Sequence, residues 1–86
     1  MKHARDDYNR IQDPAGLIPA EEPVFLLRAQ DQHAADTLRY YAQQIYEAGG
    51  SSDIYYATLA QADAMDDWPN HKAPDMPASL NAEESK

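Results

Sequence analysis

Cysteine is absent from the 86-residue chain. That excludes disulfides and thiolate-held metal clusters as supplements to a small core. A single domain of this length buries only about 60% of its unfolded surface, so every apolar contact counts. The absence also fits a reducing cytoplasm. Long apolar runs are missing too: the longest is Val24-Phe25-Leu26-Leu27, far short of the roughly 20 residues of a membrane span. The opening residues, Met1 to Asp7, are polar and charged and lack the apolar stretch of a secretory signal. The expectation is a cytoplasmic protein with no membrane contact. Basic charge is scarce as well, with 7 Lys and Arg against 15 Asp and Glu, a formal net charge of −8. A phosphate backbone is held by clustered Lys and Arg, so direct nucleic-acid binding is not expected.

The negative charge is concentrated in the middle. Residues 31–68 hold Arg39 against Asp31, Asp36, Glu47, Asp53, Asp63, Asp66 and Asp67, a net of −6. The same segment carries the clearest periodicity. Asp31 is a good helix N-cap, and Gly49-Gly50 is a stop. Between them Ala34, Leu38, Tyr41, Ala42, Ile45 and Ala48 fall on one face, opposite Asp36, Tyr40, Gln43, Gln44 and Glu47. A second helix is expected from Ser51-Ser52-Asp53 to Trp68, where Pro69 prevents continuation. Its apolar stripe is less clean: Ile54, Ala57, Met65 and Trp68, widened by Tyr55, Ala62 and Leu59. So short a connection implies an antiparallel pair.

The flanks read differently. Residues 1–22 form an irregular N-terminal arm with a turn at Asp13-Pro14-Ala15-Gly16. The run at residues 23–30 is compatible with a buried strand or with one helical turn, which periodicity does not separate; with no second strand in view to pair with, it reads as extended or as a helical turn. Two helices alone bury little, so either Ile18, Phe25, Leu26 and Leu27 complete the core by packing on them or a partner chain does. Residues 69–86, with Pro69, Pro74 and Pro77 and a polar end, read as a flexible tail. The expected fold is all-α: an antiparallel helical hairpin (core residues 23–68), an irregular arm packed on it and a mobile C-terminal tail.

Catalytic and metal-binding patterns are missing. His3, His33 and His71 lie in three separate segments without ligand spacing. Asp63, Asp66 and Asp67 sit on a helix rather than on the glycine-containing loop of a calcium site. Asp66 and Asp67 lie at a helix C-terminus, where the macrodipole disfavours acids by about 0.3–1 kcal/mol each, a cost that hints at a role beyond stability. Ser51 and Ser52 lack a nucleophile-elbow context, and no phosphate-loop pattern follows Gly49-Gly50. No enzyme activity, cofactor or metal is expected. Six tyrosines against one phenylalanine stand out. Tyr41 and Tyr55 fall on apolar faces, whereas Tyr40 and Tyr56 point outward among acids. Tyrosine supplies large contact area at small entropic cost, which suits a protein-binding surface. The candidate partner-binding residues are Asp36, Tyr40, Glu47, Tyr56, Asp63, Asp66 and Asp67.

Several stretches resemble a group of small, functionally unassigned proteins of bacteriophages, prophages and related mobile elements of Gram-negative bacteria. They are Arg10-Ile11-Gln12-Asp13-Pro14, Ile18-Pro19 and Glu22 to Asp31, with Met65-x-x-Trp68-Pro69 and Lys72-x-Pro74-Asp75 later. The likeness covers residues 8–76 and assigns no functional residue. It implies a phage or mobile-element origin in a bacterial host cell. Joined to the charge, it suggests an acidic protein that binds a host or phage protein with a basic surface and inhibits or modulates it. The target would be a polymerase, a repressor or a defence complex, the last making it an anti-CRISPR-like inhibitor. The alternative is a structural or regulatory phage protein acting as a homo-oligomeric helical module, such as a homodimer pairing two hairpins.

Overall fold

The computed structural model describes residues 1–9 and 13–76. The chain divides into two compact units, Leu27–Pro74 and Met1–Leu26 with the segment beginning at Asp75.

The larger unit is a pair of packed helices, α1 (Ala34–Glu47) and α2 (Ser52–Asp66). Both are shorter than expected. Asp31 stands three residues ahead of α1, and the cap position belongs to His33, whose side chain makes no capping bond. Asp31 is held elsewhere. Its carboxylate accepts the His33 N–H at 2.8 Å, and its backbone lies beside Lys72 in an isolated bridge. Gln32 N–H donates to the Lys72 carbonyl at 2.9 Å, and Lys72 N–H donates to the Gln30 carbonyl at 2.7 Å. Lys72, expected within the flexible tail of residues 69–86, is thus tied to the approach to α1. The expectation for residues 77–86 lies outside the described residues.

The turn between the helices is built by its glycines. Gly49 N–H donates to the Tyr46 carbonyl at 3.0 Å, and its φ of +72° turns the chain so that Gly50 N–H reaches the Ile45 carbonyl at 2.9 Å. These bonds satisfy the last carbonyls of α1 and stop it. Ser51 then caps α2, its hydroxyl accepting from Asp53 N–H at 3.2 Å.

Where the helices meet, the side chains are small. Ala34, Ala42 and Ala62 are fully buried, with Ala35 and Thr58 nearly so, and no large side chain among the described residues is fully enclosed. Leu38, Ile45, Tyr55, Leu59 and Met65 border this seam, partly buried. The stripe expected on α2 needs correction. It runs Tyr55, Thr58, Leu59, Ala62 and Met65, whereas Ile54, Ala57 and Trp68 are exposed. Apolar residues ring much of α2, so periodicity alone did not select the face; Thr58 joins it because its hydroxyl donates to the Ile54 carbonyl at 2.7 Å. On α1, Tyr41 and Ala48 are likewise exposed rather than core.

The smaller unit departs from the all-α expectation. Two short strands, β1 (Lys2–His3) and β2 (Pro23–Val24), pair in parallel, with Lys2 opposite Pro23 and His3 opposite Val24. One 3-10 turn, Asp6–Tyr8, follows β1. The expected turn at Asp13–Gly16 is present: Gly16 N–H donates to the Asp13 carbonyl at 2.9 Å, and the Asp13 carboxylate accepts Ile18 N–H at 2.8 Å. Arg5 pairs with Asp7 and Asp75 and lies 4.5 Å from the centre of the Tyr8 ring. Phe25, expected as a core anchor, is 72% exposed. It follows β2 in the smaller unit. No helix among the described residues is long and apolar enough to cross a membrane.

Candidate functional site

Arg39 and Tyr46 are seven residues apart, two turns of α1, and so share one side of that helix about 10 Å from each other. Tyr56 and Asp63 bear the same relation on α2. These four residues mark one flank of the helix pair. At one end of it is a charge cluster and at the other a cluster of aromatic rings.

The charge cluster is centred on Arg39. Its guanidinium donates to Asp36 at 3.1 Å on its own helix, and across to Asp63 at 3.0 Å and to Asp66. The hydrogen bonds it donates to Asp66 and then to Asp63 raise the guanidinium pKa further, so it stays charged at any accessible pH. Three carboxylates against one cation leave a local excess of negative charge. Asp67 follows at the end of α2, its N–H donating to the Asp63 carbonyl at 3.1 Å. Among the described residues no group of three or more His, Asp or Glu is arranged to hold a metal ion. In the acid cluster a guanidinium takes the central place.

The aromatic cluster lies at the turn. Tyr46 meets Tyr55 with ring centres 5.6 Å apart and planes tilted by 46°. Tyr55 meets Tyr56 edge to face at 5.1 Å. Tyr46 and Tyr56 remain 67% and 66% exposed. Glu47, the last residue of α1, accepts a 3.1 Å bond from the Gln43 side chain.

The seven residues singled out from sequence are thus not gathered on one face. Asp36, Asp63 and Asp66 converge on Arg39; Tyr56 belongs to the aromatic cluster at the other end, with Glu47 closing α1 nearby in sequence. Tyr40 is 68% exposed, about 200° around α1 from Leu38 and so away from the seam. Arg39 and Tyr46 are not among the residues expected from sequence, and Tyr55, expected on the apolar face, is partly buried there while its ring also joins the aromatic cluster. A signal for the pairing was present: Tyr46 and Tyr55 stand equally far from the Gly50–Ser51 junction, so a chain that doubles back there brings them together.

No family model, curated protein or solved structure matches this chain.

Proposed function

We propose that the chain is a non-enzymatic binding module whose two helices form an antiparallel hairpin, and that it docks through the flank of Arg39, Tyr46, Tyr56 and Asp63 onto the basic surface of a partner protein. The pairing of Tyr46 with Tyr55, and of Arg39 with Asp63, supports the antiparallel course. One observation carries the functional reading. Exposed tyrosines and an over-acidic cluster share one flank of a protein whose overall charge is −8. Such a field steers a basic partner and makes binding salt-sensitive, while the rings supply contact area. In keeping with the phage-like segments, the partner would be a host or phage protein in the cytoplasm of a bacterium, inhibited or modulated by being covered.

Glu47→Lys with Asp67→Lys is the informative variant, because neither residue pairs with Arg39 among the described residues. Both lie at helix C-termini, where a cation is favoured, so the fold should melt no lower than the parent. A partner recovered from the host lysate should be held less tightly by the variant and less tightly at higher salt. Equal retention by both proteins at both salts would remove the acidic flank from binding.

A second reading, self-association as a homo-oligomeric helical module, is favoured by the exposed Tyr41, Ile54 and Trp68 beside a core of alanines. Light scattering decides it: a concentration-independent monomer excludes that reading.

A further inference from the structure

The three rings at the turn border a groove of about 250 Å3, lined by Tyr46, Gly49, Gly50, Ser52, Tyr55 and Tyr56. We infer that this groove is a subsite for one cationic side chain, an arginine guanidinium, presented by the basic partner; the inference rests on the function proposed above and specifies where and how the partner is gripped.

Several observations lead to it. The faces of aromatic rings carry negative quadrupole charge and attract cations, and two of these rings are two-thirds open to solvent. The groove adjoins both the last turn of α1 and the first turns of α2, where the two helix dipoles oppose one another, so the open ring faces set its preference for charge. Proteins commonly place Lys or Arg in such a last turn, but here it holds none and ends on Glu47. Neither Lys nor Arg occurs anywhere from Tyr40 to His71, so this stretch supplies no basic side chain of its own. In size the groove falls below the roughly 300–1,000 Å3 of sites for drug-sized ligands, which suits one long side chain rather than a helix or a cofactor. The chain itself uses the same chemistry elsewhere, since Arg5 lies over the Tyr8 ring.

Gly50 helps shape the groove. A Cβ there would lie 2.7 Å from Ile45 Cγ2 and 3.1 Å from the Ile45 carbonyl oxygen, so any other residue would force Ile45 or the turn to shift. The lining therefore consists of rings, bare backbone and one serine, a surface that takes the stem and planar head of arginine by stacking rather than by ion pairing.

The test uses the full-length protein and needs no partner. Acetyl-arginine amide and its uncharged isostere acetyl-citrulline amide are titrated separately while the tyrosine ring resonances are followed by NMR. The arginine compound should shift Tyr46, Tyr55 and Tyr56 saturably in the millimolar range, and citrulline should bind at least tenfold more weakly. Tyr46→Ser and Tyr56→Ser, both at exposed positions, should each weaken the response with an unchanged circular dichroism spectrum. Tyr40→Ser should leave it intact. Equal shifts with both compounds would overturn the inference in favour of an uncharged apolar slot. Shifts that do not saturate, or that include Tyr40, would overturn it in favour of general charge attraction. An absence of arginine-selective shifts overturns the subsite even if a partner is still retained in a salt-sensitive way. Arginine-selective shifts sustain the subsite even if no such partner is retained, in which case only the proposed function falls.

Discussion

Arg39 is held by acids from two helices, and removing its charge would leave Asp36, Asp63 and Asp66 facing one another. Arg39→Gln should lower the melting temperature at low salt. Most of the loss should return at about 1 M salt, where the screening length falls from about 30 Å at 0.01 M to about 3 Å. An equal loss at both salts would mean that the arginine stem, not its charge, is what stabilises the pair. Phe25→Ala makes the opposite point. From sequence, the sole phenylalanine in the longest apolar run reads as core, and truncating a core Phe costs about 3–5 kcal/mol. At 72% exposure it should cost no more than about 0.5 kcal/mol in a denaturant melt, and a large loss would show that the residue is packed after all. The two residues also show what phase can tell. Helical phase placed Asp63 outward correctly, yet it could not show that Arg39 reaches it, because a cross-helix pair depends on how two helices dock and not on either one's own periodicity.

At the level of elements, the helices were legible in the sequence because Gly49-Gly50, Ser51 and Pro69 punctuate them chemically. Their inner faces were less so. α1 separates polar from apolar residues cleanly, whereas on α2 the alanines, tyrosines and Ile54 spread around the axis and only docking selects Thr58 and Ala62. Asp31 misled for a related reason: its side chain caps a preceding turn while Gln32 pairs with the Lys72 backbone, a contact from 40 residues away. The glycine turn makes a sharp prediction, because its two residues are needed for different reasons. Gly49→Ala meets no atom but must adopt φ +72°, at a cost of about 1–2 kcal/mol. Asparagine, which tolerates that conformation, should lose less there. Gly50→Ala collides with Ile45 and should cost about 1–3 kcal/mol, and asparagine should be no better. Denaturant midpoints of the four variants check this pattern. Similar recovery by asparagine at both positions would contradict the assigned roles.

For the whole molecule, length argued for one domain, yet the contacts separate two units. The smaller one was hidden from sequence because its strands are two residues each, shorter than any alternation that would announce them. The units also differ in what holds them. All the buried residues described, Ala34, Ala35, Ala42, Thr58 and Ala62, belong to the helix pair. The described part of the smaller unit relies on a two-residue parallel pairing, the Asp13 turn and the exposed Arg5 ion pairs. Local opening is easiest where few apolar contacts are buried and backbone bonds face water. Amide hydrogen exchange should therefore be slowest in the middle of α1 and α2, around Leu38–Ile45 and Thr58–Ala62, and faster by orders of magnitude at Lys2, His3 and Ile18. Sub-denaturing urea should narrow this difference, because the helix amides exchange through an opening that exposes much surface whereas opening the small unit exposes little. If the amides of both units instead exchanged at one common rate with a common urea dependence, the chain would be opening as a single cooperative body, and the division of its stability between two units would be wrong.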